Sequence, residues 1–468
     1  MILENYETFD KSKYPVIIIG SGPAGISLAL ELEKKNIRSV IIEAGKEVYD
    51  DVSQLNFKGH VAGDQLTDIS ESRLRQFGGT SGTWGGWCKP LSKHDYNKWG
   101  FDFKNINDYQ DKACKILDIK NSFKEAKLNS SANQIEFQYS SVRFNEKYYE
   151  HLKKSKKILL ILNTQLSHFI GNNKKITSAI CINKKKRVTL HSKKFILCCG
   201  GIENSRILLL SQKKNKDLFN QKIPIGKYWM THYWILAGIG LIDKENLKKF
   251  MGQKYLKYDG PIHIASNDLE TNNNDTLQNS IYMTFNKDKK IYKEIIKELL
   301  CVAPKYGKKI AALIFNKSFK CGNIFMHIEE KPIYENSIIL DSNRKDFNKI
   351  LLSKINYKSS IQAKKDAKLF LEELAILFSS NDLGRLAMTE NLHKLKNFEN
   401  LGNFHHMGGT RMGTKIDDSV VDQNLKVHEI DNLFISGSSI FRTSTYKNPT
   451  FSIIQFSLRL ADHIKTLI

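Results

Sequence analysis

The sequence lacks the cysteine spacing that metal sites and disulfide-stapled folds require. Its seven cysteines include no Cys-x-x-Cys pair and no arrangement suited to zinc. We therefore expect no bound metal, no disulfide framework and a reducing compartment.

Long hydrophobic runs are missing as well. No apolar run approaches the roughly 18 residues that a membrane span requires. Residues 1–7 also lack the basic region and apolar core of a secretory signal. These absences predict a cytoplasmic protein without an integral membrane segment.

Acidic residues are scarce relative to basic ones. The chain has 72 lysines and arginines against 49 acidic residues, a formal net charge of +23. Such an excess can indicate nucleic acid, a membrane or an acidic substrate as partner. The lysines occur in short runs, however, such as 184–187 and 193–194, without the aromatic interleaving of nucleic-acid-binding proteins. We interpret the charge as solvated surface and expect no nucleic-acid partner.

The remaining composition is typical of a globular protein. Hydrophobic residues make up 41% and aromatic residues 10%, which excludes a disordered chain. The length of 468 residues exceeds the size at which one hydrophobic core usually stops growing. Two structural domains are therefore expected.

A glycine-rich turn near the N-terminus carries the clearest functional signal. β-branched residues at 16–19 precede it, an apolar helix follows it, and a second β-branched run ends at Glu43. Gly20 permits a tight turn, Gly22 allows a pyrophosphate to approach the backbone, and Gly25 allows close packing of helix on strand. The helix N-terminus would face the phosphates, and Glu43 would accept the ribose hydroxyls. The unit predicts a dinucleotide site, with FAD and NAD both open.

Two further glycine turns follow. Five glycines lie among the ten residues from 78 to 87, which excludes a helix and lets the backbone lie flat against a large ligand. Trp84 and Trp87 make an ordinary surface loop the weaker alternative. A strand at 194–199 then enters Gly200 and a helix at 202–211, which would bring another backbone turn to the cofactor.

The middle of the chain changes in character. Alternating strands near 323–329 and 336–340 and an amphipathic helix at 361–378 predict a sheet with flanking helices that covers a substrate. A hairpin is predicted at 176–194. A helix at 291–300, with the apolar run 310–315 after it, is interpreted as core in preference to membrane-facing surface.

The C-terminal part carries candidate chemistry. A His405-His406-Met-Gly-Gly-Thr-Arg-Met-Gly motif is followed by a strand at 433–436, a turn at Gly437 and a closing helix. Asn448 is predicted to cap this helix, with Pro449 in its first turn. A helix N-terminus here would also stabilise negative charge on a reduced flavin. A capping role and an active-site role therefore remain alternatives for Asn448.

These motifs, in this order, resemble those of the glucose–methanol–choline (GMC) oxidoreductases, flavoenzymes that oxidise alcohols. The resemblance depends on residues 20–25 with Glu43, on 77–91, on 198–211 with 225–232, and on 404 to the end. His-His-Met-Gly before Arg-Met-Gly, and Asn-Pro-Thr near the end, are most similar to the sugar-oxidising branch. That branch includes pyranose oxidases and glucoside or gluconate dehydrogenases.

The resemblance implies an α/β fold in which a Rossmann-like FAD-binding domain is assembled from discontinuous segments. The implied segments are 1–100, 155–235 and 400–468. Residues 101–154 and 236–399 would form an α+β substrate-binding domain, mainly an antiparallel sheet with flanking helices.

For the active site, the resemblance implies His405 as the base, with His406 as the neighbouring alternative, and Asn448 at the second position. A neutral imidazole can take the hydroxyl proton while hydride leaves carbon for the flavin, and an uncharged amide can orient the hydroxyl. The implied FAD contacts come from both ends and the middle of the chain: Gly20, Ser21, Gly22, Pro23, Ala24, Gly25, Glu43, Ala44, Gly45, Gly78, Gly79, Thr80, Ser81, Trp84, Gly85, Gly86, Gln165, Gly200, Gly437, Ser438, Pro449 and Thr450. Asp431, Asn432 and Ser439 are expected to line the flavin as well.

Three departures from the family pattern bear on these expectations. Thr83 stands where some relatives attach FAD through a histidine, so non-covalent FAD is expected. Gly409 replaces a usual threonine, and Arg442 replaces a frequent proline. Arg442 would favour an anionic sugar if it faced the pocket, and a surface position is the alternative.

The sequence as a whole predicts an FAD-dependent oxidoreductase that acts on a CH–OH group. A small-molecule alcohol or sugar would be its substrate, and a separate electron acceptor would reoxidise the flavin. The alternatives are an NAD(P)-dependent dehydrogenase and a catalytically inactive flavin-binding scaffold protein.

Overall fold

The structure, a computed structural model, describes residues 1–4, 6, 13–64, 66–256, 261–267, 276–285, 319–396, 401–402 and 404–468. The helix predicted at 291–300 and the apolar run at 310–315 lie outside these residues. In the described part of the chain, none of the helices combines the length and apolar character that crossing a membrane requires. The same residues contain no cluster of His, Cys, Asp and Glu arranged to hold a metal ion.

The described strands and helices are numbered in chain order. The strands are β1 (Ile2–Leu3), β2 (Val16–Ile19), β3 (Ser39–Ile42), β4 (His60–Gly63), β5 (Trp87–Cys88), β6 (Glu125–Lys127), β7 (Ala132–Ile135), β8 (Gln138–Tyr139), β9 (Ile158–Ile161), β10 (Thr164–Gly171), β11 (Ile176–Asn183), β12 (Lys186–Leu190), β13 (Lys194–Leu197), β14 (Tyr233–Asp243), β15 (Ile262–Ser266), β16 (Asn279–Phe285), β17 (Phe319–Ile328), β18 (Ser337–Lys345), β19 (Leu351–Tyr357), β20 (Gly384–Met388) and β21 (Leu433–Ile435). The helices are α1 (Pro23–Lys34), α2 (Asp51–Gln54), α3 (Lys93–Lys98), α4 (Lys104–Asn107), α5 (Gln110–Leu117), α6 (Phe144–Lys147), α7 (Tyr149–Lys154), α8 (Gly200–Lys214), α9 (Lys244–Met251), α10 (Ile361–Ser380), α11 (Glu390–His393) and α12 (Thr450–Lys465).

Short β-branched strands build a six-stranded sheet in the order β1-β9-β3-β2-β13-β21, with every pair parallel. All residues of β2, β3, β9 and β21 are buried, as expected for a parallel sheet covered on both faces. Helices α1 and α12 share a hydrophobic core with these strands. The two strand–glycine–helix units predicted from the sequence, β2 with α1 and β13 with α8, are confirmed.

A seven-stranded antiparallel sheet forms the second layer, in the order β20-β14-β17-β16-β15-β7-β6. Helix α10 packs against this sheet, because Phe370, Leu374 and Phe378 share a core with Ile281 and Ile324. The predicted antiparallel sheet with a flanking helix is therefore confirmed.

Some boundaries differ from those predicted. Strand β17 begins at Phe319 and β18 continues to Lys345, because both find antiparallel partners beyond the alternating stretches. The predicted hairpin is the pair β11 and β12. Segment 101–154 contributes α5 to the first core and β7 to the second sheet, so the division into domains stays a prediction.

Candidate active site

Three adjacent parallel strands lead into glycine turns at one edge of the six-stranded sheet. Strand β2 leads into Gly20, β13 into Gly200 and β21 into Gly437. Gly20 has a φ of +104°, and a Cβ there would lie 2.5 Å from the Cys198 carbonyl oxygen, so only glycine fits. Ligands of open α/β sheets bind at this carboxyl edge. The structure therefore brings the three predicted turns together.

The start of α1 has room for an anionic ligand. Gly22 is the N-cap of α1, with no side chain capping the helix and Pro23 in the first turn. A Cβ on Gly22 would meet no described atom within 4 Å, and the same holds for Gly200. A Cβ on Gly79 would lie 3.2 Å from the Gly22 Cα, so the loop from residue 78 borders the same space. A helix N-terminus that opens onto free space suits a phosphate.

The Glu43 carboxylate holds the glycine turn in place. Its Oε2 accepts hydrogen bonds from the Ser21 N–H at 3.0 Å and the Ser21 hydroxyl at 2.6 Å, and its Oε1 accepts from the Gly45 N–H at 2.7 Å. The Gly78 N–H in turn donates to the Ser21 hydroxyl at 3.3 Å. A carboxylate has about four lone-pair sites, so Glu43 keeps capacity for a ribose hydroxyl, and that role stays a prediction.

The second half of the 78–86 loop runs towards β8. The Trp84 ring N–H donates to the Val142 carbonyl at 2.8 Å, and a Cβ on Gly86 would lie 1.9 Å from the Ser140 carbonyl oxygen. Gly85 and Thr83 are exposed. The predicted FAD contacts that lie in the turns and in the first half of this loop are Gly20, Ser21, Gly22, Pro23, Ala24, Gly25, Gly78, Gly79, Thr80, Ser81, Gly200, Gly437 and Ser438.

The side chain of Gln165 belongs to a buried polar network that the sequence did not predict. Its Nε2 donates to Asp346 at 2.8 Å, and its Oε1 accepts from Arg75 at 3.1 Å and from Asn348 at 2.6 Å. Arg206 also pairs with Asp346 at 2.7 Å. Most of the hydrogen-bonding capacity of Gln165 is therefore used within the protein, and its predicted contact with FAD stays a prediction.

The expectation that Asp431 and Asn432 line the flavin is wrong. Both residues precede β21, so they lie at the amino end of a strand whose carboxyl end leads to Gly437. Asn432 accepts from the Ile176 N–H and donates to the Ile176 carbonyl, each at 2.8 Å. Asn432 therefore links the hairpin of β11 and β12 to the amino ends of the parallel strands, opposite the glycine turns.

Backbone pairing brings two distant histidines together. Met230 and Met407 form an antiparallel bridge in which each N–H donates to the other carbonyl at 2.8 Å. In an antiparallel pair the residue two positions after Met230 faces the residue two positions before Met407. His232 therefore lies opposite His405. His232 Nε2 lies 2.6 Å from His405 Nδ1, and His232 Nδ1 lies 2.9 Å from the Thr445 carbonyl oxygen.

His405 and His406 have different surroundings. Burial of the ring, with His232 and His327 nearby, lowers the pKa of His405 well below 6.5, so the ring is neutral at neutral pH. His406 is buried, its Nε2 lies 2.7 Å from the Ser72 hydroxyl, and burial lowers its pKa to about 3. This arrangement favours His405 over His406 as the base.

Asn448 follows a tightly held lysine. Lys447 pairs with Asp95 at 2.9 Å in a buried position. The Asn448 Oδ1 is buried and has no hydrogen-bond partner among the described residues, which fits a bound group that supplies a donor. The predicted capping role is wrong by one residue, because Pro449 is the N-cap and α12 begins at Thr450. Helix boundaries set by capping patterns commonly shift by this amount.

A cluster of uncharged rings continues from His232 across the second sheet. His327 stacks on His232 with ring centroids 5.2 Å apart, and Trp87 lies 6.0 Å from His327 and 4.9 Å from Tyr282. The sequence did not predict His232 and His327 as site residues. The only signal was the position of His232 within the 225–232 stretch that carries the family resemblance.

The two remaining departures from the family pattern have local explanations. Gly409 has a φ of +85°, and a Cβ there would lie 2.5 Å from the Ser205 hydroxyl, so a larger residue would not fit. Arg442 donates to the Met412 carbonyl at 2.8 Å and pairs with Asp418 at 2.7 Å. Arg442 is partly buried and shares Asp418 with Arg411, so neither the pocket position nor the plain surface position describes it.

Comparison with known proteins agrees with this geometry. Residues 13–64 match the model of an FAD binding domain, and residues 332–457 match the model of the GMC oxidoreductase C-terminal region. Over residues 332–457 the chain is therefore similar to the GMC oxidoreductases. The match to an FAD-binding domain identifies FAD as the cofactor of this chain and favours a flavoenzyme over an NAD(P)-dependent dehydrogenase.

Similar proteins include oxidoreductases of sugars and of a diol. The chain is 25% identical to the fructose dehydrogenase large subunit of Gluconobacter japonicus over 285 residues, 58% of this chain and 47% of that protein. It is 26% identical to 2-methyl-1,2-propanediol dehydrogenase of Mycolicibacterium austroafricanum over 310 residues, 62% of this chain and 51% of that protein. The chain thus spans about half the length of these relatives.

The fold is also shared with a solved oxidase structure. The crystal structure of pyridoxine 4-oxidase from Mesorbium loti superposes with a TM-score of 0.60 at 12% identity, covering 96% of this chain and 99% of that one. At this identity the likeness shows the fold alone, and it confirms the mixed α/β prediction.

Proposed function

We propose that this protein is an FAD-dependent oxidoreductase that takes a hydride from a CH–OH group, with His405 as the base. The observation that carries the proposal is the connection of His405, through His232, to the Thr445 carbonyl. Thr445 lies in the loop that bears Asn448, so hydrogen bonds link His405 to the segment that carries the second candidate catalytic side chain.

The described residues fit FAD at three places. The open space at Gly22 and Gly200 and the uncapped start of α1 suit the pyrophosphate. Glu43 has capacity for the ribose, and the buried Asn448 Oδ1 lacks a partner among the described residues. We therefore assign the phosphates to the turn at 20–25 and the flavin ring to the neighbourhood of Pro449 and Thr450.

The reaction needs a proton acceptor and a hydride acceptor. Bound FAD supplies the hydride acceptor. Neutral His405 accepts the proton of the substrate hydroxyl, which leaves the carbon free to lose a hydride. Asn448 orients that hydroxyl with its amide group and adds no charge to the site.

We propose that FAD is held without a covalent bond to the loop at 78–86. Thr83 has neither an imidazole nor a thiol, and it is exposed at the end of the short helical turn 79–82. The cytoplasmic location and the domain division at 1–100, 155–235 and 400–468 likewise stay predictions.

We propose a sugar or a sugar derivative as the substrate. The side chains that continue from His232 are uncharged rings, among them Trp87, Tyr282 and His327. The guanidinium of Arg442, which would have favoured an anion, is bonded instead to Asp418 and to the Met412 carbonyl. A neutral polyhydroxy compound therefore suits the site better than a sugar acid, and the name of the fructose dehydrogenase relative agrees with this class.

Anaerobic reduction of the bound flavin tests the proposal. The purified protein should be yellow or take up FAD, and at least one sugar or polyol from a panel should bleach the flavin absorbance. His405→Ala should keep the flavin yet bleach at least about 100-fold more slowly, because a general base contributes about 10²–10⁴ in rate. His406→Ala is the matched control and should bleach faster than His405→Ala.

Two results would overturn the proposal. The first is a colourless protein that takes up no FAD. The second is a His405→Ala variant that bleaches as fast as wild type, which would remove the base assignment.

A further inference from the structure

The hydrogen-bond partner of His232 Nδ1 decides where protons lie in the histidine pair. That nitrogen is 2.9 Å from the Thr445 carbonyl oxygen, and a carbonyl oxygen can only accept. His232 Nδ1 therefore carries the hydrogen. Burial lowers the pKa of His232 to about 4, so the ring is neutral at neutral pH and its Nε2 has the lone pair.

The proton position on His405 follows from this assignment. His405 Nδ1 lies 2.6 Å from His232 Nε2, which is the acceptor of the pair. His405 Nδ1 must therefore carry the hydrogen and donate it. The lone pair of His405 is then on Nε2, the nitrogen that faces away from His232.

We propose that His232 is a positioning residue that holds His405 in the Nδ1–H tautomer and fixes its ring, so that Nε2 is the basic nitrogen. This inference rests on the proposed function, in which His405 takes the proton of the substrate hydroxyl. The role corresponds to that of the acidic residue behind the histidine of a Ser-His-Asp triad, which fixes tautomer and orientation.

His232 differs from a carboxylate in one important respect, because it is uncharged. A carboxylate behind His405 would stabilise the imidazolium form and raise the pKa of the base. The groups that face the two rings are His327, His406 and the backbone of Ser444 and Thr445, none of which carries a negative charge. His232 therefore orients the base without raising its pKa, and the base stays neutral in mildly acidic solution.

Two substitutions separate this role from simple packing. In His232→Gln, the amide oxygen lies near the position of Nε2 and can accept from His405. In His232→Leu, similar volume is kept but no acceptor remains. Anaerobic flavin reduction should slow about 100-fold in His232→Leu, the cost of a misplaced or wrongly protonated group, and less than about 10-fold in His232→Gln. Both variants should retain FAD.

A spectroscopic readout tests the tautomer without substrate. In protein labelled with ¹⁵N-histidine, with the His405 signals assigned by their loss in His405→Ala, the shifts should show a protonated Nδ1 and an unprotonated Nε2. In His232→Leu this pattern should change to the Nε2–H form or to an average of the two. In His232→Gln it should persist.

The proposal is overturned if wild-type His405 is protonated on Nε2, or if His232→Leu keeps both the tautomer and the rate. A wild-type protein whose flavin no alcohol reduces would instead refute the proposed function, and the nitrogen shifts would still decide the role of His232.

Discussion

A buried ion pair next to Asn448 gives a quantitative test of how this part of the site is held. The side chains of Lys447 and Asp95 are each 1% exposed, and their charged atoms lie 2.9 Å apart. Lys447 also donates to Gln278 at 3.1 Å, and Asp95 accepts from the N–H and hydroxyl of Ser92 at 2.7 and 2.9 Å. Lys447→Met would keep most of the volume but leave the Asp95 carboxylate without its counter-charge.

The expected cost follows from the burial of both groups. Removing one partner of a buried ion pair typically costs about 3–5 kcal/mol, because the other charge stays buried and uncompensated. Replacing both charges by uncharged groups costs much less. We therefore expect Lys447→Met to lower the free energy of unfolding by about 3–5 kcal/mol, and the double variant with Asp95→Asn to recover most of it.

The pH dependence provides a second check. Burial by itself raises the pKa of Asp95, but pairing with Lys447 outweighs burial and lowers the pKa below 3.8. In the wild type the pair therefore stabilises the fold above the unfolded-state pKa, and this contribution is lost only as the pH falls through the lower folded value. In Lys447→Met only the hydrogen bonds from Ser92 and Gln278 still oppose burial, so the pKa of Asp95 should lie above its wild-type value. The defect should then grow as the pH rises and shrink as it falls towards about 3.9.

Urea unfolding followed by tryptophan fluorescence, at a mildly acidic and a mildly alkaline pH, measures both effects. Asp95→Asn alone completes the double-mutant cycle. The reasoning fails if Lys447→Met and the double variant are equally destabilised, or if the defect of Lys447→Met is the same at both pH values.

Three further predictions concern the cofactor and the base. The rate of flavin reduction should fall only below pH 6.5, because the pKa of His405 is lowered well below 6.5 and the ring accepts a proton only when neutral. A rate that already falls above pH 6.5 in stopped-flow measurements would contradict this. Gly25→Ala should lower the stability of the apoprotein in urea, because its Cβ would lie 2.0 Å from the Gly20 carbonyl oxygen. Gly22→Ala should leave apoprotein stability unchanged, because no described atom lies within 4 Å of its Cβ, but it should weaken FAD binding in a titration. Acid precipitation should release all the flavin into the supernatant, because Thr83 has neither an imidazole nor a thiol. Colour that stays with the pellet would show a covalent link.

Local patterns allowed much of the fold to be predicted. The units β2 with α1 and β13 with α8 lie within short stretches, and their strands are continuous apolar runs, so the order of side chains defines each element. The glycines at 20, 22 and 25 form a local motif that the sequence displays directly, although the atom that excludes a side chain at Gly20 belongs to Cys198 on another strand. An error came where strand direction mattered: Asp431 and Asn432 lie just before β21, at the end of that strand opposite to Gly437.

The sequence by itself therefore determined the nucleotide turn, the parallel strands and the presence of histidines at 405 and 406. The tertiary structure alone decided which partner each histidine has. His232 lies 173 positions from His405 and 213 from Thr445 along the chain, and no local pattern links residues so far apart. Their contact depends on the antiparallel bridge between Met230 and Met407, two residues that are themselves far apart along the chain.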